Sequence, residues 1–418
     1  MARSILSLGA LLLGSAFLVF AGGLNGLLLP IRGEIEGFTA ASLGLLGTGW
    51  AVGYVAGCIA TSSLVARVGH VRVFGAMCAV AAITVLLSLL FVTPWVWVPL
   101  RGIAGFCFAG AAMVVESWLN EKAESSNRGR IFGVYTMVNL GATTAGQLAL
   151  TTGDPAGYVF FVVAAIVYCM ALLPTAVSAT TTPTALVKVS LDLGGLWRNS
   201  PIAVVAVFMV GISNAAFGTL VAVYGARTGL SVSEVALFAS VPVLAGAIAQ
   251  VPIGILSDRY DRRKVLIGIA LLALVADATF LFAGFTGTAA LIATSAVFGA
   301  AVFSMYPVIV AHANDHAAPG TFIQVSGGLL LVFGVGSIIG PTIAGFAMTR
   351  YGTSSLFWTT AAAHVLMLLF ALLRLRARAA VPAEDKTAFR AAPLARGTTP
   401  ETAVLAEPTD PETPASPA

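Results

Sequence analysis

The amino-acid sequence predicts an all-α integral membrane protein, with twelve transmembrane helices arranged as two pseudo-symmetric six-helix bundles. Three observations predict it. Over 418 residues the chain is 58% hydrophobic and only 10% charged, where ordinary globular domains carry about 25% charged residues. Apolar runs long enough to cross a bilayer, roughly 20 residues each, recur from Ile5 to about Arg374. The second half of the chain also echoes the first.

Taken in order, the spans fall near 5 to 29, 42 to 63, 73 to 92, 98 to 119, 131 to 152 and 157 to 178 in the first half. In the second they fall near 201 to 224, 233 to 256, 265 to 283, 289 to 311, 320 to 347 and 355 to 374. The first span follows Arg3 and has Ala21 near a cleavage-like position. It is longer than the apolar region of a secretory signal and eleven spans follow it, so it is expected to be retained. Residues 179–200, with Thr180, Thr181, Thr182, Pro183, Lys188, Asp192 and Arg198, divide the spans six and six as a central linker. The expected organisation is therefore a first bundle over 1–178, the linker, a second bundle over 201–375, and a tail over 376–418. That tail holds seven prolines among many Ala, Thr and Glu residues. Such a composition buries too little apolar area to offset chain entropy, so the tail is expected to be disordered.

Sidedness follows from the bias of Lys and Arg toward cytoplasmic loops. Of the 22 basic residues, Arg32, Arg101, Arg227 and Arg350 fall on one side and the other 18 on the side shared by both termini. Both termini are therefore expected in the cytoplasm, with the chain in the plasma (inner) membrane. The basic residues form short clusters between apolar runs rather than a continuous face, which argues against a nucleic-acid partner. Cys58, Cys78, Cys107 and Cys169 sit inside apolar runs at spacings that suit neither a zinc site nor a disulfide framework. No metal and no cofactor is expected, and the expected partners are the lipid bilayer, a small-molecule solute and protons, with the chain a monomer.

The repeat is visible as identities at a fixed offset. Gly105 pairs with Gly299, Asn120 with Asn314, Gly133 with Gly327 and Gly146 with Gly340, while Glu121 meets Asp315. Upstream the offset shrinks, pairing Leu64 with Leu256, Arg67 with Arg259 and Asn25 with Asn214, as loop insertions would cause. Parallel halves of this kind are a transporter plan that places the substrate site between them.

Motifs sharpen the reading. The loop Gly254-Ile255-Leu256-Ser257-Asp258-Arg259-Tyr260-Asp261-Arg262-Arg263-Lys264 resembles the loop motif of the major facilitator superfamily. Its first-half counterpart keeps Leu64, Arg67, Gly69 and Arg72 but has Ala66 in place of the motif aspartate. In the motif a carboxylate can cap a helix N-terminus while the basic residues pair with an acid on a facing helix. Arg101, Gly102 and Gly105, followed by Ala109, resemble the arginine-glycine motif of the fourth span. Gly327, Gly336, Gly340-Pro341 and Gly345 have a spacing that resembles the antiporter motif of the superfamily, although they lie in the eleventh span rather than the fifth, and close helix packing is the favoured reading. Glu116-Ser117-Trp118-Leu119-Asn120, Arg128-Gly129-Arg130, Tyr306-Pro307 and His312-Ala313-Asn314-Asp315 resemble the YcaD-type branch of that superfamily, over residues 5–374.

The resemblance implies a secondary transporter working by alternating access. Polar residues in the spans expected to line a cavity are the candidates for the solute pathway: Asn25, Arg101, Asn139, Gln147, Asn214, Gln250 and Gln324. For Arg101 the competing expectation is a side chain that snorkels to the outer membrane edge. The candidate cytoplasmic gate comprises Arg67, Gly69, Arg72, Glu116, Arg130, Gly254, Asp258, Arg259, Arg262, Arg263 and Asp315. Glu116, about 22 Å from Arg101 along one helix, is expected to pair with Arg67, Arg72 or Arg130. Asp277 and His364 sit at similar depth in the ninth and twelfth spans and are expected to pair inside the bilayer. Arg101, Glu116, Asp277 and His364 are the candidates for proton coupling. Export is the favoured direction, with uptake or facilitated diffusion of a metabolite as the alternative and a non-transporting sensor as a remote one. The sequence shows no His-Glu-x-x-His motif or paired intramembrane aspartates, so an enzyme is not expected.

Overall fold

Local chemistry sets the helix boundaries. The computed structural model describes residues 2–123, 127–177, 192–285, 287–318, 321–375, 381–387, 389–390 and 398–405. The first half contains α1 (Ala2–Ile35), α2 (Ala40–Val68), α3 (His70–Leu90), α4 (Pro94–Lys122), α5 (Arg128–Leu148), α6 (Val159–Met170) and α7 (Leu172–Val177). After the short α8 (Leu193–Asn199) come α9 (Pro201–Arg227), α10 (Val232–Arg259), α11 (Arg262–Phe282), α12 (Thr288–Asn314), α13 (Phe322–Tyr351) and α14 (Ser355–Leu375). Thr39 caps α2, Asp192 caps α8, Ser200 caps α9 ahead of Pro201, and Ser231 with Glu234 forms a capping box on α10. Gly69 turns α2 into α3 at φ +88°, a backbone setting that suits glycine.

Ten of these helices are long and apolar enough to cross a membrane. The fifth and sixth expected spans are the exceptions. Along α5, Tyr135, Thr136, Asn139, Thr143 and Gln147 all face an interior cavity, so this helix is polar by design of its inner face. The sixth span is broken at Ala171 into α6 and α7. Pro174 has no N–H to offer the carbonyl one turn back, at Met170, which ends the longer helix there. Of the expected linker, residues 179–191 lie outside the described residues, and the remainder carries α8.

The repeat in the sequence reappears as packing. In the first half α2 packs on α4, α1 on α5, α3 on α4 and α3 on α6; in the second, α10 packs on α12, α9 on α13, α11 on α12 and α11 on α14. Matching glycines make matching contacts. Gly105 lies against the backbone of Trp50, and Gly299 against that of Pro242; Gly146 meets Phe20 and Leu24, and Gly340 meets Ile212. A Cβ at any of these positions would overlap a facing main chain, so small residues bring the helix axes together where a bilayer supplies no hydrophobic drive.

The second half is packed around Phe217, Tyr224, Phe238, Phe280, Phe298 and Phe357, with the Phe280 and Phe357 rings stacked at 3.9 Å. Beneath them Asp277 and His364 meet, as their depths suggested. Asp277 Oδ2 lies 2.7 Å from His364 Nδ1, and Thr360 Oγ1 donates to Oδ1 at 2.6 Å. His364 Nε2 stands 2.9 Å from Ser213 Oγ, so every polar atom of the pair has a partner.

The tail departs from the expectation of disorder wherever it is described. Residues 381–387 and 389–390 lie on the loop after α10, and α15 (Pro400–Leu405) packs against α4, α5 and α13. Its attachment combines hydroxyl and main-chain hydrogen bonds with the Phe389 ring packed over Gly254, which composition alone does not reveal.

Candidate functional site

A cavity of about 240 Å³ lies between the two halves, lined from the first by α1, α2, α4, α5 and α6 and from the second by α9, α10 and α12. Of the seven residues expected on the pathway, the structure brings five together here: Arg101, Asn139, Gln147, Asn214 and Gln250. Asn25 is buried on α1 and does not line the cavity; Gln324, near the start of α13, also lies outside it. Arg101 points into the cavity beside Tyr168 instead of snorkelling outward. It is the sole ionisable acid or base of the Asp, Glu, Lys, Arg and His types in the lining, and no ion pair involves it among the described residues. Trp50, Phe108, Phe217 and Phe303 supply flat apolar walls.

The two ends of the cavity are built differently. At the end away from most basic residues, the halves touch directly. Gly44 on α2 abuts Pro341 and Gly345 on α13, and Thr48 Oγ1 reaches Ile338 O at 2.8 Å and Thr342 Oγ1 at 2.6 Å. Thr349 Oγ1 accepts from Ala41 N at 2.8 Å, Arg227 Nε donates to Glu34 at 2.8 Å, and Ser240 Oγ donates to Gln147 Oε1 at 2.9 Å.

At the basic end the tail intervenes. Arg262 bonds Asp315 at 2.7 Å and Ser257 at 3.0 Å, and pairs with Asp258 at 3.3 Å. Asp258 also accepts from the main chain of Phe389, whose ring covers Gly254, while Asp315 accepts from Thr387 N and Oγ1. Arg263 pairs with Asp261 at 2.8 Å. The loop residues of the second half thus gather as a cluster. Their first-half counterparts do not: Arg67, Arg72 and Arg130 are exposed, as is Arg259.

Glu116 corrects the expectation of an arginine partner. It is 0% exposed, and among the described residues all its hydrogen bonds come from hydroxyls. Tyr135 Oη donates to Oε1 at 2.8 Å, Thr402 Oγ1 donates to the same oxygen at 2.8 Å, and Thr399 Oγ1 donates to Oε2. Tyr135, Asn139 and Ser15 all line the cavity, and Ser15 Oγ donates to Asn139 Oδ1 at 2.7 Å. The Tyr135 hydroxyl therefore joins the cavity wall to Glu116. Asp277 and His364 lie outside the cavity lining.

Sequence reading missed Tyr135, Ser15, Ser240 and the docked threonines. A signal existed for the first: Tyr135, Asn139, Thr143 and Gln147 recur at every fourth residue, one stripe of a helix. The threonines carry no periodic mark.

The chain matches the sequence profile described as Major Facilitator Superfamily over residues 11–231 and 203–408. Among curated relatives, an uncharacterized MFS-type transporter of Enterobacter sp. (strain 638) is 28% identical, covering 87% of this chain and 94% of its own. An uncharacterized MFS-type transporter YcaD of Escherichia fergusonii is 27% identical, covering 88% of this chain and 95% of its own. Among solved structures, the nucleoside transporter NupG superposes with a TM-score of 0.75 at 15% identity, over 90% of this chain and 100% of its own. A bacterial homolog of the human lysosomal transporter Spinster, inward-facing and occupied, gives 0.71 at 17% identity, over 91% and 97%. At such identities these structures share the fold. Twelve helix positions in two corresponding halves, a cavity between them and a profile match across nearly the whole chain lead to one conclusion: the protein is a membrane transporter of the major facilitator superfamily.

Proposed function

We propose that the chain is a secondary active transporter that carries a small solute by alternating access, with the cavity of Arg101, Asn139, Gln147, Asn214 and Gln250 as its solute site. The observation that carries this reading is the asymmetric closure of a cavity shared by both halves. A site reached from one end at a time needs one sealed end, and the seam of Gly44, Thr48 and Ser240 supplies it.

The basic end faces the cytoplasm in this reading, following the distribution of Lys and Arg, and both termini lie there with the chain a monomer in the inner membrane. Coupling is to protons. Glu116 is the favoured carrier over Arg101, Asp277 and His364, because it alone is a buried carboxylate bonded to a cavity-lining side chain, the Tyr135 hydroxyl. Export is the direction favoured by the aromatic walls, while the four amides beside Arg101 favour the second reading, uptake of a polar metabolite.

Purified protein in liposomes containing a pH-sensitive dye tests the proposal against a solute library. Expected is solute-dependent proton movement that Glu116→Gln abolishes while solute exchange persists. Proton-independent flux, equal in wild type and Glu116→Gln, overturns the coupling assignment.

A further inference from the structure

A guanidinium removed from water is costly unless a charge or a full set of acceptors meets it. In a bilayer such a side chain faces a wet cavity or a partner. Arg101 faces a cavity, and no carboxylate lines that cavity. The nearest carboxylate on its own helix, Glu116, is occupied by Tyr135, Thr399 and Thr402. Across the cavity, Asn214 is buried and both its amide atoms lack hydrogen-bond partners among the described residues. A cationic head and an unpartnered amide therefore face the same space, whose walls also carry Trp50, Phe108 and Phe303.

We infer that the transported solute is an organic anion with an apolar, ring-sized body, its acid group held by Arg101 and its body lying on the aromatic walls. This rests on the reading of the cavity as the solute site. A carboxylate can take two parallel N–H donors from the guanidinium, and rings are held by aromatic faces at low ordering cost. A cationic solute would meet Arg101 with no compensating acid.

Isothermal titration calorimetry on the purified full chain with three matched probes tests the inference: 2-naphthoate, 2-naphthamide and 2-(aminomethyl)naphthalene. Expected is binding of the naphthoate at least about tenfold tighter than either analogue. Arg101→Gln should remove that preference while leaving naphthamide affinity unchanged, and Arg101→Lys should keep it in part. Equal affinities, tightest binding of the amine, no binding of any probe, or an unchanged naphthoate affinity in Arg101→Gln each overturns the anion assignment. If Arg101→Gln does not fold, the wild-type order of the three probes and the Arg101→Lys value decide. The transporter reading is judged separately, by flux in liposomes.

Independent contacts at the basic end carry a second inference. Tyr54 Oη donates to Thr398 O at 2.9 Å, Asn120 Nδ2 donates to the Glu401 side chain and main chain at 3.2 Å, and Thr399 and Thr402 hold Glu116. All of Thr398, Thr399, Glu401 and Thr402 are buried, and α15 touches α4 and α5 of one half and α13 of the other. The geometry assigns Thr398–Leu405 as a tethered plug that closes the basic mouth of the cavity and must leave for solute to pass.

Cys58 lies one helical turn beyond Tyr54 on α2 and reports on that mouth. In the full chain, Thr399→Glu with Thr402→Glu sets new carboxylates against Glu116. Expected is a rise of about tenfold or more in the rate of N-ethylmaleimide addition to Cys58, read by peptide mass spectrometry. The buried Cys78 and Cys107 should remain unreactive. An unchanged Cys58 rate, or a rise shared by all three cysteines, overturns the assignment.

Discussion

At one end of the cavity the halves touch main chain to side chain with nothing between them; at the other a segment of the same polypeptide lies between them. Gly44 against Pro341 and Thr48 against Thr342 leave no room for another chain. Around Glu116, Thr399 and Thr402 are bonded to the first half, and the α15 segment they belong to or adjoin also touches α13 of the second. The difference teaches that one seal belongs to the two bundles themselves, whereas the other is an added part whose strength depends on a few hydroxyl bonds to one carboxylate.

Either seal works only if the bundles move as rigid bodies, and the largest expected effect comes from disrupting the interior of one of them. Asp277→Ala or His364→Ala alone leaves an unpaired buried group at the centre of the second bundle, and should cost about 3–5 kcal/mol. Loss of folded protein by size-exclusion chromatography is the expected readout for each, and unchanged yield from both would refute the pair's structural role.

Next in size is Gly44→Leu. Its side chain has no space against the Pro341 carbonyl, and overpacking of this kind costs about 1–3 kcal/mol. Expected is a lower melting temperature together with flux reduced at least tenfold or so, because the direct seam no longer closes. Flux equal to wild type would show that this seam is not the seal.

Glu116→Gln sharpens the other side of the comparison. It removes the charge that three hydroxyls share, and charge-assisted hydrogen bonds contribute about 1.5–3 kcal/mol. Amide hydrogen exchange over 398–405 should accelerate while exchange at the Thr48 and Thr342 seam stays as it was. Equal protection before and after would make Glu116 irrelevant to docking. Smallest is Arg227→Ala. The Arg227–Glu34 pair is partly solvent-exposed, with side chains 25% and 22% exposed, so well under about 1 kcal/mol is expected. A melting-temperature drop comparable with that of Gly44→Leu would mean that this charge pair is a principal part of the direct seal.

The architecture was legible because membrane solvation is severe. Apolar length, basic loops and the glycine repeat each follow from a single physical requirement, and the structure turns the pairs Gly105/Gly299 and Gly146/Gly340 into corresponding helix contacts. Five of the seven residues expected on a pathway line the cavity for the same reason, since a polar side chain inside a span has few places to face. Asn25 and Gln324 show the limit, because residue type does not reveal which side of a helix meets the cavity. The break at Ala171 and the polarity of α5 blurred two spans that sequence alone treats as uniform. Least legible was the partner of Glu116. Charge pairing favours an arginine on paper, yet a buried carboxylate can be satisfied by hydroxyls from residues nearly 300 positions away, Thr399 and Thr402, whose local composition reads as disorder.

The docked tail has a consequence in length. Its piece at Thr387 and Phe389 is fastened to the second bundle through Asp315 and Asp258, and its piece at Thr398 to Thr402 chiefly to the first through Tyr54, Asn120 and Glu116. Between Arg390 and Thr398 run eight peptide steps, which span at most about 28 Å when fully extended. While both pieces stay docked, the bundles are joined by a strap of fixed maximum reach. The tail whose Thr398–Leu405 segment plugs the mouth therefore also limits how wide the mouth can open before one fastening must give way.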